Sequence, residues 1–185
     1  MAKATQNPII LIELDHDTRQ TQFDRAKTWF DNVLLTQSSC RQLVEDTVEK
    51  IEEPHMKQYL AEMALQEREH EAKARELFAL IGREPSDVRQ LLGQVAGKAR
   101  QALGDFIALA GSAKGPWQDL HQVYLSNYNS MGAFAVAEQL GLALGIPAIV
   151  DLVFPVIAEK STSQLLLKEY VLEMCSKSIL YHEGF

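Results

Sequence analysis

The stretch from Leu60 to Gly82 constrains the fold more than any other part of the chain. Leu60, Met63, Ala64, Ala74, Leu77, Phe78 and Ile81 recur at helical spacing and mark one buried stripe. That stripe runs through Glu67 and His70, so both are predicted to face an interior. A carboxylate and an imidazole three residues apart on an inward helix face form a Glu-x-x-His unit, which helical bundles use to hold a metal.

A chain of 185 residues can bury one sizeable core but not two ordinary ones, and one domain is expected. The net charge of −7, with acids and bases interspersed, leaves no basic stripe to neutralise phosphates. Nucleic acid and anionic membrane surfaces are therefore not expected partners. Residues 1–6 show no basic segment leading into an apolar run, so no signal peptide is expected there. The apolar run from Met131 to Ala158 is interrupted by Glu138, Gln139, Pro147 and Asp151, which predicts buried helix rather than a membrane span. Cys40 and Cys175, the only cysteines, both fall in helical patterns. Two reduced thiols in a cytoplasmic protein fit that usage better than a disulfide framework.

Residues 1–14 carry a short β-branched run, Pro8 to Leu14, read as an N-terminal tail, and the helical domain spans residues 15–185. Asp15 and Asp17 offer capping chemistry for a helix reaching about Ile51, with Phe30, Val33, Leu34, Val44, Val48 and Ile51 as its stripe. Pro54 suits the first position of a second helix that ends at Gly82. A connection this short makes the two helices antiparallel neighbours. Residues 83–114 read as a Gly- and Ala-rich helical crossover from one hairpin to the other. Gly115-Pro116-Trp117 opens a third helix to Gly145, and Pro147 opens a fourth that continues to about Tyr181.

Folding the two hairpins about residues 53 and 145 places Gln37 opposite Glu67, and Ser130 opposite Glu159. Each pair lies roughly 22 Å from its turn at about 1.5 Å per residue. Helix 4 is predicted to bury Leu152, Val156, Leu166 and Tyr170, with Glu159 and Thr162 on the same side. Helix 3 is predicted to bury Leu120, Tyr124, Met131 and Phe134, with Asn127 and Ser130. All four helices thus bring polar groups to mid-core, an expense unless those groups satisfy each other or an ion.

The order of helices, the Glu67-Arg68-Glu69-His70 unit and the Leu-Gly-Ile-Pro turn before the helix bearing Glu159 resemble the ferritin-like superfamily. Within it, residues 20–180 are most similar to the bacterial stress-associated proteins of the YciF type. The resemblance implies an all-α fold: a ferritin-like antiparallel four-helix bundle with a long helical crossover between helices 2 and 3. The family's dinuclear site takes one carboxylate from each of two helices and a Glu-x-x-His unit from each of the other two. Carried onto this sequence, the pattern finds Gln37 and Ser130 in place of carboxylates, Glu67 and His70 intact, and Glu159 followed by Thr162 where a histidine would stand.

Glu67, His70 and Glu159 remain as candidate metal ligands, two carboxylates and one imidazole that suit a single Fe, Mn or Zn ion. The same residues also make an ion-free hydrogen-bonded layer in which a protonated His70 or a shared carboxyl proton balances the charge. A non-catalytic or single-metal, stress-related homodimeric module is the expected function. Two alternatives stand beside it. One is an active diiron or dimanganese oxidase or metal storage protein that recruits Glu45 or Glu138, and the other is a small-molecule binder using space at Ser130 and Thr162. Cys40 reads as a small buried hydrophobe before a soft ligand, and His16, His55, His121 and His182 read as surface residues.

Overall fold

The computed structural model describes residues 15–87 and 115–180, and these are helical apart from caps, turns and the irregular segment 83–87. Four helices are present among them: α1 (His16–Val48), α2 (Pro54–Leu80), α3 (Pro116–Ala143) and α4 (Pro147–Leu180). Capping chemistry sets their limits. Asp15 accepts from the Thr18 amide at 2.9 Å and starts α1. Pro54 and Pro116 sit in the first turns of α2 and α3, where a missing N–H costs nothing.

Gly82 and Gly145 take positive φ values of 62° and 65° and close α2 and α3. In each case the next residue's amide reaches back into the last turn, Arg83 to Phe78 and Ile146 to Gly141, both at 2.9 Å. These are paired glycine C-caps that satisfy the otherwise orphaned carbonyls. The α3–α4 turn is further fixed by Gly141. A Cβ there would come within 2.7 Å of Ile149 Cγ2, so the close approach of the two helices depends on its absence.

Helix α1 packs on α2 and α3, and α4 packs on α3 and α2. Each neighbouring pair is antiparallel, as cross-helix contacts show. In α1 and α3, Trp29 meets Ala133 while Lys50 meets Asp119. In α2 and α4, His55 meets Glu173 while Glu67 meets Lys160. Helices α2 and α3 therefore run the same way across the diagonal, and Leu80 and Pro116 lie at opposite ends of the packing. The connection between them has to cover roughly 40 Å at about 1.5 Å per residue of α2. The expected crossover helix over residues 83–114 falls, from residue 88 on, outside the described residues, as do the tail over 1–14 and His182. The chain leaving α2 is pinned before that point: Asp31 accepts from Lys27 and from both the amide and hydroxyl of Ser86.

The core is divided in two along its length. Phe30, Phe78, Phe134, Val153 and Val156 fill one end, with Phe30 and Phe78 edge-to-face at 6.0 Å. Val44, Met56, Leu60, Leu120, Leu167 and Met174 fill the other. Between them lies a slice in which every helix contributes polar residues: Gln37, Glu67 with His70, Asn127 with Ser130, and Lys160 with Ser163.

The stripe of α4 differs from the expectation by one residue. Its buried positions are Ile149, Val153, Val156, Lys160, Ser163, Leu167, Val171, Met174 and Ser178, whereas Leu166 is 37 % exposed and Thr162 lies outside, its hydroxyl returned to the Ala158 carbonyl. The helix carries a second apolar face through Phe154, Leu165 and Leu172, and that face blurs the period from which the inward side is read. No helix among the described residues is long and apolar enough to cross a membrane.

Candidate functional site: a polar layer closed by a buried lysine

Glu67 is the centre of the layer. Its side chain is 1 % exposed, and three side chains surround it. Lys160 Nζ donates to Oε2 at 2.7 Å and to Oε1 at 2.9 Å. Gln37 Nε2 donates to Oε2 at 2.6 Å and to the Glu67 carbonyl at 2.9 Å. His70 Nδ1 lies 3.8 Å from Oε1, an ion-pair distance too long for a hydrogen bond.

Each partner is held in turn. Ser130 Oγ donates to Gln37 Oε1 at 2.7 Å, which fixes the amide orientation. Asn127 Nδ2 donates to the Lys160 carbonyl at 3.1 Å and to Gln164 Oε1 at 2.7 Å, and its Oδ1 lies 3.4 Å from Lys160 Nζ. An ammonium has three protons and no acceptor. Two Glu67 oxygens and the Asn127 oxygen match that count, so a lysine with no exposed surface is fully satisfied.

Sequence reasoning missed Lys160, because an unpaired lysine is almost never buried and α4 was read one residue out of register. The signal was present in the 149, 153, 156, 160, 163, 167 spacing, which has helical steps of three and four. Of the three sequence-predicted ligands, His70 lies beside both carboxylates, 3.8 Å from Glu67 and 2.7 Å from Glu159. His70 Nε2 and Glu159 Oε2 share a hydrogen bond of 2.7 Å. His70 is buried, but the Glu159 side chain is 44 % exposed and approaches from the rim instead of the interior. His70 Nδ1 has no hydrogen-bond partner.

Electrostatics follow from this packing. Burial alone would raise the Glu67 carboxyl, but His70, the Lys160 ammonium and the Gln37 amide outweigh it and hold the group down at about 2. Glu67 is therefore an anion whose charge is already balanced within the chain. Burial pushes the Cys40 thiol up to about 12, so it is neither a thiolate ligand nor a ready nucleophile.

A two-carboxylate, one-imidazole metal site needs free lone pairs converging on a point. Here both Glu67 oxygens are turned to the Lys160 ammonium, and no group of three His, Cys, Asp or Glu side chains that could hold a metal exists among the described residues. The donor set does not fit a metal. The carboxylates proposed as recruits are also placed elsewhere. Glu45 is clamped by Arg41 at 2.7 Å and Arg68 at 2.8 Å on the α1–α2 surface, and Glu138 is half-buried outside the bonded layer. The space expected at Ser130 and Thr162 is not formed, since Ser130 is bonded to Gln37 and Thr162 faces out. Among the histidines, His16 and His55 are exposed as expected, whereas His121 is half-buried and stacked on Trp117 at 5.3 Å.

Compared with protein-family models, with curated proteins and with solved structures, the chain matches none.

Proposed function

We propose that this chain is a ferritin-like bundle in which a buried ammonium stands where relatives of that architecture place metal, leaving a non-catalytic, stress-related structural or binding module. One observation carries the reading: Lys160 Nζ bonded to both oxygens of Glu67 at 2.7 and 2.9 Å, with both side chains buried. The ferritin-like assignment is supported by four helices whose neighbours are antiparallel and by α2 and α3 being parallel, which demands a long crossover. The stress-related role rests on the resemblance carried by residues 20–180. Cytoplasmic residence is part of the same reading and is supported by the free thiols of Cys40 and Cys175.

Self-association into a homodimer completes the proposal. The outer face of the α3–α4 hairpin exposes Tyr128, Leu142, Phe154, Leu165 and Leu172, with Leu165 at 66 %. Large apolar side chains exposed along one helical hairpin mark a protein contact, and the seven-residue spacing of Leu165 and Leu172 suits a helix face from a second copy.

Elemental analysis of protein purified without chelators, then reloaded anaerobically with Fe(II), Mn(II) and Zn(II), tests the function directly. The expected metal content is far below one equivalent per chain. Two equivalents of iron or manganese would overturn the proposal in favour of an oxidase or storage protein.

A further inference from the structure

The structure contains a second concavity that the polar layer does not use. It lies between α1 and α3, has a volume of about 410 Å³, and is walled by Ala26 and Trp29 on one side and Val136, Leu140, Ala143 and Leu144 on the other. Gln22 and Arg25 complete the α1 wall. Trp29 is fixed in place because its Nε1 donates to the Ala133 carbonyl at 3.1 Å, so the indole is a rigid wall and not a mobile lid.

Arg25 gives this groove its chemistry. The residues three and four positions away on its own helix are Thr21, Gln22, Thr28 and Trp29, none of them acidic. Arg41, Arg68, Arg75 and Arg83 on the α1–α2 side are paired with acids: Arg41 with Glu45 and Glu71, Arg68 with Glu45, Arg75 with Glu71, and Arg83 with Asp24, while Arg19 lies over the Phe23 ring. Arg25 is the one charged side chain in the lining of this apolar groove, and in a chain of net charge −7 a guanidinium placed there favours an anionic group locally. Along α1 the wall from Gln22 to Trp29 extends roughly 10 Å at about 1.5 Å per residue. The volume is within the range of small-molecule sites, whose walls are mostly apolar with a few placed polar groups.

We infer that the α1–α3 groove binds a medium-chain carboxylate, the chain lying on Trp29, Val136 and Leu140 and the head paired with Arg25 and Gln22. A single planar carboxylate is the head that a guanidinium fork recognises best. This goes beyond the reading of the polar layer and does not depend on it.

Octanoate, kept below its micelle concentration, is titrated into the full chain while tryptophan fluorescence is followed, with octanol as the neutral twin. Saturable quenching or a spectral shift is expected with octanoate, absent in Trp29→Phe. Arg25→Ala should weaken octanoate about tenfold, the scale of one charged hydrogen-bonding pair, and leave octanol unchanged. Ala143→Phe, which fills the groove from an exposed position, should abolish both. The inference is overturned if octanoate gives no saturable signal, if Arg25→Ala leaves octanoate binding intact, or if Ala143→Phe binds as the parent does.

Discussion

Lys160 and Glu67 settle the character of the layer. Removing one member of a buried ion pair leaves an uncompensated charge, whereas replacing both by neutral groups of similar volume is often tolerated. Lys160→Met is therefore expected to lower stability by about 3–5 kcal/mol, and Lys160→Met with Glu67→Gln to recover most of that loss, because the new amide still receives Gln37. Denaturant midpoints at constant m-value check the pair of variants, and equal losses in the single and double variant would contradict the assignment. The Glu67 carboxyl also sets a pH dependence. It titrates near 2 in the folded chain against 4.5 for an ordinary glutamate, so its stabilisation is whole above 4.5 and fades as pH falls toward 2. The melting temperature of the parent is expected to drop through that window more steeply than that of Glu67→Gln. Parallel curves for the two proteins would show that Glu67 carries no buried charge.

At the scale of the helices, α4 has two apolar faces, one packed inside and one outside. The inner face, Ile149 to Met174, was obscured in the sequence by the outer face, Phe154 to Leu172. Leu165→Lys with Leu172→Glu should dissociate the proposed dimer without unfolding the bundle, as measured by sedimentation together with circular dichroism. A chain that sediments as a monomer before any substitution would contradict the assembly. Much of the remaining architecture was legible beforehand for physical reasons. Pro54, Gly82, Pro116, Gly145 and Pro147 punctuate the helices through backbone constraints that tertiary context rarely overrides. The stripe of α2, including Glu67 and His70, could be read because its outer face is charged and leaves one clear period. Gln37, Asn127 and Ser130 were legible by counting outward from the turns. Lys160 was not, since the second apolar face of α4 masks the spacing that contains it and its burial depends on a glutamate 93 residues away.

Across the whole molecule, the layer separates two apolar cores and makes one bond pattern compatible with all four helices. Gln37 can meet both Glu67 and Ser130, and Asn127 can meet Lys160, only if the helices hold their observed heights. A one-turn slip of any helix would bury several unsatisfied polar groups at once, each costing about 1–3 kcal/mol. We interpret the layer as a register device built from the chain's own charges, by analogy with buried polar residues that fix helix register elsewhere. The most direct measurement is the melting temperature of the parent and of Lys160→Ala, each with and without excess Mn(II), Fe(II) or Zn(II). The account predicts a parent indifferent to all three ions, and a variant, with Glu67, His70 and Glu159 released, that is less stable alone and regains several degrees when an ion is supplied. A parent stabilised by metal as much as the variant would show that the ammonium does not hold the ion's place.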